Sequence, residues 1–177
     1  MQKGSRLREP FYFSFVLMYK KHLTKEQALQ KLKHYCAYQE RCLSEAKEKL
    51  YELGVQKKEQ DEIISSLIEA NCLNEERFAI AYAIGKFRIK QWGRIKIKYE
   101  LKQKRINDHF INIALLQINK KKYTDVLEKL AKEKYADLKT EQYLIRKKKT
   151  INYLLQKGYE MELVNTVVSR FGNRKTV

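Results

Sequence analysis

Three short stretches of this chain line up on one another: "KLYELGV" at 49–55, "ELKQKRI" at 100–106 and "YLLQKGY" at 153–159. Leu50, Leu101 and Leu154 share one slot; Gly54, Arg105 and Gly158 share the slot four residues on, followed by Val55, Ile106 and Tyr159. Ten positions beyond the Gly/Arg slot lie Ile64, Leu115 and Val168, and thirteen beyond lie Leu67, Ile118 and Phe171. Apolar slots matched at offsets of 51 and 53 residues predict three copies of one supersecondary unit. A unit of about fifty residues is too small to bury its apolar face alone, so the copies must stack.

Each unit reads as three helices. Pro occurs once and Gly six times in 177 residues, and Lys, Glu, Leu, Ile and Ala are abundant, which favours helix over a turn-rich β fold. The predicted helices are Lys25–Glu40, Ser44–Leu53 and Lys58–Ala70 in the first unit. In the second they are Asn74–Lys90, Arg94–Lys104 and Asp108–Ile118, and in the third Thr124–Leu138, Gln142–Lys157 and Met161–Phe171. Ser44, Asn74 and Thr124 are the expected N-caps, and Gly54 and Gly158 the expected helix ends. "IKIKYEL" alternates with period two as a strand would, but its counterparts "AKEKLYEL" and "TINYLLQ" do not, so it is read as helix with Ile97 and Leu101 toward the core and Arg94, Lys98, Lys102 and Arg105 in a row on a different face. The expected fold is all-α: three tandem three-helix repeats, at 24–71, 72–122 and 123–177, forming an elongated curved array with a concave side.

The first 23 residues stand apart. "PFYFSFVLMY" is too short to span a bilayer, which takes ~20 residues. It resembles the front of a signal peptide, but "KKHLT" follows where small cleavage-site residues belong. The expectation is an N-terminal leader or disordered segment with Met18 as the true start, because helical patterning begins only at Thr24.

The net charge of +17 favours anionic partners such as nucleic acid, an acidic protein groove or an anionic membrane surface. Its distribution is uneven. Residues 24–71 carry eight basic and nine acidic side chains, residues 72–122 thirteen and four, and residues 123–177 twelve and seven. The most basic stretch, "KFRIKQWGRIKIKYELKQKR" at 86–105, has nine Lys or Arg and one Glu. At the start of the middle helix the second unit places Arg94 and Lys96, and the third places Lys147 and Lys149 inside "RKKK". Basic residues oppose the dipole there, so local helix stability does not explain them. An anion docked on the helix N-terminus would meet the dipole, the free N–H groups and the cations together. The candidate binding residues are therefore Lys86, Arg88, Lys90, Arg94, Lys98, Lys102, Arg105, Lys147 and Lys149. Charge runs are often solvated faces, and that alternative stands beside this one. Trp92 is favoured as an inter-helix packing residue over a base-stacking one.

Catalytic patterns are missing. The sequence has no P-loop and no G-x-G-x-x-G, and His22, His34 and His109 are scattered. Cys36, Cys42 and Cys72 are odd in number without a C-x-x-C pair, which suits a reduced compartment and small apolar packing roles. Glu75 and Glu76 are adjacent on a helix and point apart, so they make no acid–base pair. The chain reads as a binding protein, not an enzyme, with no cofactor or metal.

"YCAYQERCLSEAKEKLYELG" (35–54) and "LIEANCLNEERFAIAYAIGKFRIKQWGRIKIKYELKQKRI" (67–106), with the apolar helix that follows, resemble the RecX family of recombinase regulators. The resemblance runs over roughly 24–171 and is most specific in the middle block. It implies a curved array of three-helix repeats that binds the RecA filament on single-stranded DNA and mostly inhibits recombinase and ATPase activity. Recombination, DNA repair and the SOS response are the processes implied, in the cytoplasm, by a monomer without enzymatic activity. Direct contact with DNA phosphates is left open. The family often has Asp where Asn74 stands, and Gly where Arg105 stands. An Arg in a left-handed helix end costs about 1 kcal/mol, so either the helix end is remodelled or Arg105 serves a contact. Two other functions remain: a general basic DNA-binding protein acting without RecA, and a membrane-surface protein using Phe11–Tyr19.

Overall fold

The structure, a computed structural model, describes residues 23–171. The leader and the Met18 start lie outside the described residues. Among the described residues there are nine helices: α1 (Lys25–Tyr38), α2 (Leu43–Glu52), α3 (Lys57–Glu69), α4 (Glu75–Lys90), α5 (Arg94–Gln103), α6 (Asp108–Leu116), α7 (Lys120–Asp137), α8 (Tyr143–Gln156) and α9 (Met161–Ser169). The ambiguous "IKIKYEL" lies inside α5. The helices pack chiefly in threes: α1 with α2 and α3, α4 with α5 and α6, α7 with α8 and α9.

The starts of several helices are set by side chains that accept otherwise unpaired N–H groups. Thr24 and Gln27 form a reciprocal capping box on α1. Asn74 Oδ1 accepts the Arg77 N–H at 2.9 Å on α4. Asn107 does the same for His109 on α6, and Asn119 for Lys122 on α7. Two expected caps are corrected. Thr124 lies inside α7, which starts four residues earlier, and its hydroxyl donates back to the Lys120 and Lys121 carbonyls. Ser44 is inside α2, whose N-cap is Cys42; its hydroxyl instead donates to the Lys104 carbonyl of the second unit at 3.0 Å. In both cases a better use for the hydroxyl existed than the one local spacing suggested.

The repeated seven-residue stretches are one backbone motif. In each unit the middle helix ends with paired hydrogen bonds: Val55 N–H to Leu50 O and Gly54 N–H to Tyr51 O, Ile106 to Leu101 and Arg105 to Lys102, Tyr159 to Leu154 and Gly158 to Leu155. This is the Schellman pattern, which requires a left-handed residue just past the helix. Gly54, Arg105 and Gly158 occupy that position with φ of 76°, 62° and 89°. The helix end at Arg105 is therefore not remodelled. Leu50, Leu101 and Leu154 are fully buried, and Val55, Ile106 and Tyr159 are buried behind them. The motif turns the chain and drives an apolar residue into the core on each side of the turn.

The core falls into two clusters. One is centred on the first unit, around Leu32, Leu50, Ile63 and Leu67, and takes in Leu73 just beyond α3. The other runs without interruption through the second and third units, from Phe78 and Phe87 through Ile97, Leu101 and Ile111 to Tyr123, Leu154, Tyr159 and Val164.

Arg105 is the one member of the repeated slot with a Cβ in a left-handed conformation, which costs roughly 1–2 kcal/mol relative to glycine, partly offset by the greater freedom of unfolded glycine. Arg105→Gly is expected to stabilise the protein by about 1 kcal/mol, read as a rise in the midpoint of urea unfolding. Gly158→Ala is expected to destabilise it by more, because the added Cβ would lie 2.3 Å from the Lys96 Cβ and 2.5 Å from the Lys96 backbone nitrogen.

Candidate nucleic-acid and filament interface

The basic residues of the middle unit do not form one surface. Lys86 and Lys90 line a cleft of about 580 Å³ between the first and second units, together with Glu45, Tyr82, Glu100 and Lys104. Arg88, two residues from each of them and so on the opposite side of α4, opens on a different hollow formed with the end of α6 and the start of α7, beside Gln117, Lys122 and Asp125. On α5, Lys98 and Lys102 are exposed at i and i+4, and exposed Arg105 follows at the helix end. Lys102 is 3.2 Å from Asp108 Oδ1. Among the described residues neither Lys98 nor Arg105 has an acidic partner. Ile95 and Tyr99, 55% and 60% exposed, lie on the same helix as this cationic row.

Arg94 is placed otherwise. Its guanidinium sits 4.1 Å over the Tyr123 ring, donates to the Ile118 carbonyl and lies 3.8 Å from Glu160. Its backbone N–H donates to the Tyr123 hydroxyl at 3.0 Å, and that hydroxyl donates to Glu160 Oε2 at 2.6 Å. Arg94 therefore joins the second unit to the third, where the helical spacing placed it in an outward row. The neighbouring N–H groups are also taken. Gly93 N–H donates to Lys157 O at 2.8 Å and Ile95 N–H to Gly158 O at 3.0 Å. A free anion site at the α5 N-terminus is thus corrected, because the third unit's carbonyls and a tyrosine already occupy the donors an anion would need. Gly93 allows this close approach: a Cβ there would lie 2.1 Å from the Gly158 carbonyl oxygen.

Tyr123 and Tyr159 complete this joint. Their rings lie 5.1 Å apart, Phe87 packs tilted against Tyr123 at 5.7 Å, and the Tyr159 hydroxyl donates to Gln91 O. Burial, first, and then the carboxylate of Glu160 push both phenols well above their ordinary range, so both remain neutral donors. Trp92 packs against the same core, half-buried, with the Lys86 and Lys96 ammonium groups 5.3 Å and 4.8 Å from its ring. That is a packing position with cation–π support.

Lys147 and Lys149 lie on α8, past its first turn. Lys149 pairs with Glu141, and Lys147 is half-buried. Their neighbour Arg146 stacks over Tyr135 at 3.6 Å and donates to the Tyr135 carbonyl. Lys104, absent from the row read by spacing, also has a structural role: its Nζ is 2.6 Å from Glu45 Oε1 across the first joint. The sequence signal for it was its alignment with Lys157, which occupies the same slot and also reaches across a joint, to Lys90 O at 3.3 Å. The tyrosines divide between core and surface: Tyr123 and Tyr159 are fully buried, whereas Tyr38, Tyr51, Tyr99 and Tyr143 are exposed.

Comparison with known proteins fits this repeat architecture. Residues 74–115 match the family description "RecX, second three-helix domain", and residues 122–168 match "RecX, third three-helix domain". This chain belongs to the RecX family. The regulatory protein RecX of Clostridium perfringens strain 13 is 34% identical over 134 residues, which cover 74% of this chain and 62% of that protein. Its counterpart in Leuconostoc mesenteroides is 30% identical over 128 residues, covering 72% of this chain and 48% of the relative. The chain thus spans less than two thirds of the length of these relatives. The crystal structure of RecX from Lactobacillus salivarius superposes with a TM-score of 0.75 at 24% identity, covering 84% of this chain and 96% of that one. At that identity the likeness speaks for the fold.

The Tyr123 hydroxyl is fully buried and makes two hydrogen bonds, one to a carboxylate. Tyr123→Phe leaves the Arg94 N–H and a Glu160 oxygen without it and is expected to cost about 1–3 kcal/mol, measured by urea unfolding. Arg94→Met is expected to destabilise as well, whereas Lys98→Met, at an exposed site, is expected to stay within ~0.5 kcal/mol of the parent.

Proposed function

We propose that this RecX-family protein regulates RecA by binding its filament on single-stranded DNA, mostly restraining recombinase and ATPase activity. The observation that carries the reading is the α5 surface. Lys98 and Arg105 are exposed without acidic partners among the described residues, beside exposed Ile95 and Tyr99, in the unit with the largest excess of positive charge. An outward cationic row with apolar side chains beside it suits a partner that offers both anionic groups and protein surface. Bare duplex DNA would reward the lysines but not the isoleucine. Lys86 and Lys90 in the cleft, and Arg88, Lys102, Lys147 and Lys149 outside it, add to the field that steers an anionic partner. Arg94 contributes through the joint it holds and not by direct contact.

The protein acts in this reading as a monomeric, cytoplasmic binding module without catalysis of its own. Among the described residues no helix is long and apolar enough to cross a membrane. A second reading, binding to DNA without RecA, is favoured by the same charge and is separated by one experiment. RecA-coated and bare single-stranded DNA are titrated with the protein and with Lys98→Glu/Arg105→Glu, following binding and ATP turnover over a series of salt concentrations. Preferential binding to the filament with falling turnover is expected. The double variant should lose at least tenfold in affinity, and the salt dependence should flatten by about 0.7 log unit per log for each single-strand phosphate contact removed. Equal affinity for coated and bare DNA would assign the protein to the second reading. A double variant that inhibits as well as the parent would remove α5 from the interface.

A further inference from the structure

The two joints between units are built from different chemistry. The joint between the second and third units is backbone against backbone. Gly93 N–H and Ile95 N–H donate to the carbonyls of Lys157 and Gly158, and Gly93 and Gly158 permit an approach that no Cβ would fit. Around it the core is continuous, with Phe87, Tyr123 and Tyr159 in ring contact.

The joint between the first and second units uses the same places in the repeat but lacks these features. Cys42 stands where Gly93 stands and Arg105 where Gly158 stands, each with a side chain on Cα. Among the described residues no backbone-to-backbone hydrogen bond links α1–α3 to α4–α9. What crosses is polar. Ser44 Oγ donates to Lys104 O, Lys104 Nζ pairs with Glu45, and Arg77 Nε donates to Glu40 at 2.6 Å. Burial works against the charge of Lys104, but the hydrogen bond and charge of Glu45 outweigh it and hold the ammonium pKa above its ordinary value. The second Glu45 oxygen is buried without a hydrogen-bond partner in the protein, 3.8 Å from Arg41. Among the described residues the apolar clusters divide here: Cys42 alone reaches from the first unit into the core of the other two, and Leu73, in the link before α4, packs with the first cluster. The cleft holding Lys86 and Lys90 lies along this divide.

We propose that α1–α3 is a hinged arm on a rigid block formed by α4–α9, and that the Lys104–Glu45 pair is its latch. The side chains of the pair are 28% and 20% exposed, and those of Arg77 and Glu40 are 40% and 30% exposed, so dissolved salt reaches and screens both pairs. Salt does not weaken the ring packing of the other joint in the same way. The arm therefore opens with rising ionic strength, widening the cleft, while the block keeps its shape. This inference stands independently of the RecA reading.

The test measures distances by double electron–electron resonance between spin labels, in the full chain with Cys72→Ser; Cys36 and Cys42 are buried and leave the introduced thiols as the reactive ones. Labels at Glu48→Cys and Lys132→Cys report the first unit against the third. Labels at Lys98→Cys and Lys132→Cys report within the block. The 48/132 distribution is expected to broaden and shift between 0.05 and 0.5 M NaCl, while the 98/132 distribution stays narrow. Lys104→Met should open the arm already at low salt, raising the open population on the order of tenfold, with helical circular dichroism unchanged. Lys102→Met, which removes an exposed pair inside the second unit, should do nothing. A 48/132 distribution that ignores both salt and Lys104→Met overturns the proposal, as does a 98/132 distribution that changes in step with it. If Lys104→Met loses helical signal, the salt series on the parent protein decides alone.

Discussion

Everything in this structure depends on the left-handed turn that ends the middle helix of each unit. It closes the second helix with two hydrogen bonds, reverses the chain and places one apolar residue on each side of the reversal into the core. The turns after Leu101 and Leu154 also serve as docking points, because their carbonyls lie open to the unit before. Each receives the start of the preceding unit's middle helix, through Ser44 at the first joint and through Gly93 and Ile95 at the second. The repeat is thus a chain of turns plugged by helix starts. This explains why a basic helix N-terminus at α5 is tolerated: its donors face carbonyl oxygens rather than water, and Arg94 is balanced by Glu160 and by the face of Tyr123.

Arg105 follows from the same geometry. In the third unit the turn must be glycine for two reasons, φ and space, since Lys96 presses on it. In the second unit only the φ requirement remains, because the preceding unit meets this turn through the Ser44 and Glu45 side chains rather than through its backbone. A residue with a Cβ is therefore strained there but not excluded. The departure from glycine does not mark a broken repeat. It marks the looser of the two joints, and it carries an exposed positive charge to the end of α5.

Much of this was legible in the sequence because the repeat constrains backbone and core together. The aligned Leu slots, the glycines that end helices and the buried side of α5 at Ile97 and Leu101 are dictated by period and by φ, and both act locally. The exact helix starts were less legible. A threonine at 124 and a serine at 44 are good caps in isolation, but Asn119 begins α7 earlier and Ser44 is used between units. The candidate site was legible as a concentration of charge and not as an arrangement. A helical wheel separates inward from outward positions but does not know that a neighbouring unit covers part of the outside. Arg94 was misplaced for this reason, and Lys104 was passed over because its partner is 59 residues away.

The distribution of charge between inside and outside also bears on what the array can hold. Of the cations in the basic middle stretch, Arg94 and Lys104 are consumed at the two joints, and Lys86 and Lys96 flank Trp92. Those positions fix how the units sit on one another. Lys98 and Arg105 are left outward, and nothing in their surroundings gives them a structural task. Removing a charge of the first kind changes the geometry of the array and only through it the binding; removing one of the second kind changes binding at constant geometry. A partner that reads the outward row while the first unit moves on a polar joint would feel both the charge and the angle of the arm. Ionic strength would then act on this protein twice, by screening the contact and by loosening the frame that presents it.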